Sequence, residues 1–153
     1  MIRWEPYLWP TTPVATDEEI GAVERAWGVA LPADYRAVAR EHQGESPEPG
    51  GLRVAGAPHT VECLLHFRAS GDHASWNLVA VDAELRDWLP LGVHPVAATT
   101  SGGFWCLDFR GAAPGTASVL HAESDDEPED AFRTVAPDFA TFLGRLRDPA
   151  DQG

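Results

Sequence analysis

Two helix starts stand only sixteen residues apart, at Thr16 and at Pro32, and the rest of the chain has to fold around that pair. Thr16-Asp17-Glu18-Glu19 puts Thr at an N-cap and Glu at N3, the reciprocal pattern of a capping box. Asp17 and Glu18 add negative charge at the positive end of the helix dipole. Ile20, Val23 and Trp27 recur at helical spacing, and Gly28 suits the left-handed residue that ends a helix. The second start, Leu31-Pro32-Ala33-Asp34, offers Pro at N1 and Asp in the first turn. Tyr35, Val38, Ala39 and His42 form its apolar face, and Gly44 closes it. A link this short forces the two helices into a hairpin or an angled corner.

The flanks read differently. In residues 1–15, Pro6, Pro10 and Pro13 exclude a helix interior, while Trp4, Tyr7, Leu8 and Trp9 are too apolar for a free tail. An extended arm packed on the domain is expected. Residues 45–51, ESPEPGG, read as a loop. Leu52–Ala55 and Thr60–Phe67 are strand candidates, Ala69–Ser75 a turn, and WNLVAV at 76–81 fits a strand or a helix entry. Asp82–Leu89 reads as a helix with Asp82 as its N-cap. Val93–Ala98, Phe104–Phe109 and Ala117–Ala122, separated by Gly-containing turns, predict an antiparallel meander. In its middle strand Trp105, Leu107 and Phe109 share one face, and Phe104, Cys106 and Asp108 the other. A last helix is expected over 137–147, with Pro137 at N1 and Phe139, Phe142, Leu143 and Leu146 inward; 148–153 reads as a flexible tail. Helices, then strands, then a helix predict an α+β fold: one domain over 16–147, with a mixed or mostly antiparallel sheet flanked by helices.

Charge narrows the function. The chain has 24 acids against 11 bases, all Arg, for a net charge of −13. That balance disfavours broad contact with a phosphate backbone or an anionic membrane surface. A quarter of the acids lie in Glu123–Asp130: Glu123, Asp125, Asp126, Glu127, Glu129 and Asp130. This run reads as a solvated loop that could steer a basic protein partner. The N-terminal MIRWEPYLWP lacks the apolar stretch of a signal peptide, and no window is long enough for a membrane span, so a cytoplasmic protein is expected.

A search for chemistry finds none, and the expectation is a protein that is not an enzyme and holds neither cofactor nor metal. His59, Glu62, Cys63 and His66 lie close in sequence, but a zinc site needs a second pair of ligands, and His73, His94 and His121 are scattered. Cys63 and Cys106 sit in apolar stretches and read as buried free thiols. No P-loop, G-x-S-x-G or H-E-x-x-H occurs. Asp108, a charge within an apolar strand, reads either as a cap on the following turn or as a partner contact.

Three stretches in order carry a family resemblance. Leu31, Pro32, Asp34, Tyr35 and Gly44 are the first; Pro95, Ala97, Gly102, Gly103, Cys106, Leu107 and Asp108 are the second; the closing DFATFLGRL is the third. Together they resemble the SMI1/KNR4 superfamily, also called SUKH, over roughly residues 16–147. The resemblance implies an α+β domain and a non-enzymatic, protein-binding role. Bacterial members are mostly taken to be immunity proteins that neutralise a polymorphic toxin, often a nuclease or deaminase; others are regulatory scaffolds. On the first reading the candidate contacts are the six acids of 123–130, with Asp108 and Trp76 as anchors. Monomer and dimer are both compatible with these features.

Overall fold

The computed structural model describes residues 2–124 and 130–148. Helix α1 (Asp17–Trp27) begins with both halves of the capping box: the Glu19 N–H donates to Thr16 Oγ1 at 3.1 Å, and the Thr16 N–H donates to Glu19 Oε1 at 2.9 Å. It ends at Gly28, whose φ of 69° a side chain would resist. Across the short link Glu24 accepts from the Leu31 N–H at 2.8 Å, which sets the angle at which α2 (Ala33–His42) leaves.

The Leu-Pro-x-Asp-Tyr start of α2 is structural. Leu31 and Tyr35 are buried in the core, and Tyr35 meets Phe139 edge to face at 5.2 Å. Asp34 Oδ2 accepts from the Ala140 N–H at 2.9 Å, so a residue of α2 caps the first turn of α4 (Phe139–Arg145). Asp138 is the N-cap of α4, receiving the Thr141 N–H at 2.7 Å; Pro137, expected inside the helix, precedes it. The Thr141 backbone bond first, and then the Thr141 side chain, hold the Asp138 carboxyl below its ordinary range.

The arm is a strand. β1 (Arg3–Pro6) pairs antiparallel with β2 (Glu45–Glu48), so the segment expected to be a loop is a strand because a partner some forty residues upstream is brought to it. The hairpin of β3 (Gly51–Val54) and β4 (Ala57–Thr60) follows. The long strand expected over Thr60–Phe67 is broken: Thr60 ends β4, and only Cys63–Leu64 form β5. WNLVAV resolves to helix. A 3-10 turn (Ala74–Trp76) leads into α3 (Leu78–Leu85), whose N-cap is Asn77, with Oδ1 receiving the Ala80 N–H at 3.0 Å. Asp82, expected at a cap, lies inside α3 and is buried against His94 at 2.8 Å.

The main sheet is antiparallel in the order β5-β6-β7-β8-β9, with β6 at Val93–Ala98, β7 at Phe104–Asp108, β8 at Ser118–Ala122 and β9 at Phe132–Ala136. All three strands of the expected meander stand, as β6, β7 and β8; β9 has no counterpart in the sequence reading. Both faces are covered. Trp105 and Leu107 face the core shared with α1, α2 and α4. Cys106 faces a smaller cluster with Val93, Leu120 and Ala122, closed by Leu85, Trp88 and Leu89. Both thiols are free and buried, and desolvation pushes Cys63 up to about 12 and Cys106 higher still, which leaves them inert at neutral pH. No helix among the described residues is long and apolar enough to cross a membrane.

Candidate partner-binding surface

Sequence reasoning placed eight residues on a partner-binding surface, and four of them lie among the described residues. Asp108 is 9% exposed and is spent on the next turn: it accepts from the Arg110 backbone N–H at 3.0 Å and from both Nε and Nη2 of that guanidinium. These bonds cap the turn that follows β7. Glu123, expected in a solvated loop, is 6% exposed beneath the Gly102-Gly103 turn and accepts from Ser101 Oγ at 2.9 Å. Its backbone N–H donates to Ala131 O at 2.9 Å, closing the base of the β8–β9 hairpin, and this pulls it inside. Asp130, partly exposed, is ion-paired with Arg133. Asp125, Asp126, Glu127 and Glu129 lie outside the described residues.

Trp76 stands at a defined site. It lines a cleft of about 370 Å³ between the 3-10 turn, α3 and the β6–β7 turn. Leu65, Val81, Ala98 and Phe104 supply apolar walls, Gly102 and Gly103 form one lip, and among the described residues Glu62 and Glu84 are the ionisable ones lining it. Glu62 is oriented by Tyr7, whose hydroxyl donates to Oε2 at 2.5 Å; that bond is the first cause of a phenol pushed up to about 12. Tyr7 is 48% exposed and meets Trp76 edge on at 6.2 Å, so an aromatic pair borders the cleft. Gly103 has to be glycine here, because a Cβ would lie 2.5 Å from Ala122 O and 2.6 Å from Glu123 Oε2. Two carboxylates over aromatic walls suit an inserted Arg or Lys side chain, which gains both a charge partner and a π face.

Glu62 and Glu84 were missed as a pair because they come from separate elements, the bend after β4 and the helix α3. No spacing along the chain links them. Packing of α3 against β6 is what brings them to one cleft.

A second cluster joins residues that looked scattered. His59 on β4 and His121 on β8 approach with ring centroids 4.2 Å apart, and Glu123 joins them. His121 is 2% exposed; its burial, with His59 as neighbour, pushes its pKa down to about 4 and keeps the ring neutral near pH 7. His66, also fully enclosed, is pushed down chiefly by desolvation, against a hydrogen bond to His73 O at 2.6 Å.

No curated protein matches the chain. The sequence profile of the SMI1 / KNR4 family (SUKH-1) matches residues 14–145, nearly the whole length. That span runs from the end of the arm through α4 and contains every element that builds the cleft. The chain belongs to the SMI1 / KNR4 family (SUKH-1).

Proposed function

We propose that this protein is a non-enzymatic immunity-type protein of the cytoplasm that binds a cognate bacterial toxin domain, of nuclease or deaminase type, and covers its active site. Membership of a family whose members are often toxin immunity proteins supports the reading. The single observation that carries the mode of binding is the anionic, aromatic-walled cleft at Trp76, Glu62 and Glu84. Enzymes that hold phosphates carry basic surfaces, and an inhibitor at −13 is steered toward them. Trp76 and Phe104 supply the buried contact, and Glu62 and Glu84 the charge partners for a basic side chain. Asp125, Asp126, Glu127, Glu129 and Asp130 act at longer range, on the rate of encounter.

The two contributions separate by experiment. Glu62→Gln with Glu84→Gln is expected to raise the dissociation rate for a cognate toxin domain. Changing the five acids of 125–130 to Ser is expected to slow association and flatten its dependence on salt. Unchanged rates in both variants would remove the cleft and the loop from the interface.

A further inference from the structure

We propose that His59, His121 and Glu123 form a binding site for a divalent transition-metal ion of the zinc class, at the junction of the β3–β4 hairpin and the main sheet. One ligand atom from each of the three lies within 4.8 Å of the other two. His121 Nε2 stands 3.7 Å from Glu123 Oε2, too long for a hydrogen bond and close enough for two ligands of one ion. Donors about 2.1 Å from a tetrahedral zinc ion are about 3.4 Å apart, so a gap of up to 4.8 Å has to close by at most about 1.4 Å. His59, at the end of a two-stranded hairpin and only half-buried, is the member that can move.

The side chains look for a ligand they do not have. His121 Nε2 and His59 Nδ1 are both buried without a hydrogen-bond partner among the described residues. Leaving two such atoms unsatisfied is costly, and a cation between the rings and the carboxylate satisfies them together. The donors are also held in place. Ser101 Oγ fixes Glu123 Oε2 at 2.9 Å and is itself bonded to Thr99 Oγ1 at 3.0 Å, and Trp105 packs on His121 at 4.7 Å.

The donor set selects the ion. Two imidazoles and one carboxylate suit zinc, cobalt or nickel; calcium and magnesium require oxygen ligands. A cleft of about 270 Å³ lined by Val54, Ala55, Ala57, His59, Asp130 and Arg133 opens at His59 and gives the ion a path in. The ion would tie the hairpin to β8, which makes it a fold clamp. The site does not depend on the toxin-binding reading.

Co2+ titrated into the full chain after chelator treatment tests it, read by visible absorption and by thermal unfolding. One Co2+ per chain with a tetrahedral spectrum and a raised Tm is expected. His59→Gln should weaken binding by more than about tenfold, with an unchanged circular dichroism spectrum, and so should Glu123→Gln. His73→Asn, which removes an exposed imidazole elsewhere, should leave binding as it was. Folded wild-type protein that takes up no Co2+ would overturn the proposal, as would binding that His59→Gln leaves intact.

Discussion

Gln43 is fully buried, and each end of its amide serves a different part of the chain. Nε2 donates to Pro13 O at 2.6 Å in the arm, and Oε1 accepts the Phe67 N–H at 2.9 Å beyond β5. Beside it Gly44, at φ 73°, leaves room for Trp9, whose ring would lie 2.7 Å from any Cβ. One amide and one glycine thus fix where the arm crosses the domain. Gln43→Ala would strand the buried Phe67 N–H and the part-buried Pro13 carbonyl, and we expect a loss of about 2 kcal/mol in urea unfolding, since an unsatisfied buried group costs roughly 1–3 kcal/mol. Gly103→Ala meets backbone on one side and a buried carboxylate on the other. It should lower stability by about 1–3 kcal/mol, the ordinary range for overpacking, and a lowered Tm would register it.

Among the elements, those legible in the sequence carried their own local signals. The capping box of α1, the alternation in β6 to β8 and the apolar stripe of α4 needed nothing from elsewhere. β2 was illegible because ESPE has no strand propensity, and its pairing comes wholly from β1. α3 was shifted because Asn77, a cap that also donates to Arg68 O at 2.8 Å, was passed over for the more acidic Asp82. Of the candidate surface, Trp76 was legible as a large aromatic beside a turn. Glu62 and Glu84 were not, and His59 with His121 were dismissed, because a search by spacing cannot see ligands that meet only when a hairpin folds onto a sheet. The cross-element bond from α2 to α4 allows a sharp test. Asp34→Ala should destabilise by about 1 kcal/mol, the usual value of a helix cap, and the Ala140 amide should exchange with solvent faster than amides in the rest of α4.

At the scale of the whole molecule, acid stability follows from the enclosed imidazoles. His66 and His121 are both held below the ordinary value of 6.5, His121 at about 4. The unfolded chain therefore takes up their protons first as the pH falls. Their contribution is complete above about pH 6.5 and is lost on the way down, for His121 by about pH 4. For His121 this is on the order of 3 kcal/mol. Urea unfolding in the presence of a chelator should show stability falling between these limits, and His121→Gln should flatten that fall relative to wild type.

Two groups of acids, the cleft pair Glu62 and Glu84 and the run at 125–130, are proposed to serve one basic partner. Calorimetric titration of this protein into any toxin domain encoded beside its gene tests that most directly. Stoichiometric 1:1 binding, weakened by Trp76→Ala and by added salt, is the expected result. No heat of binding at any accessible concentration, or binding indifferent to both salt and Trp76→Ala, would contradict it.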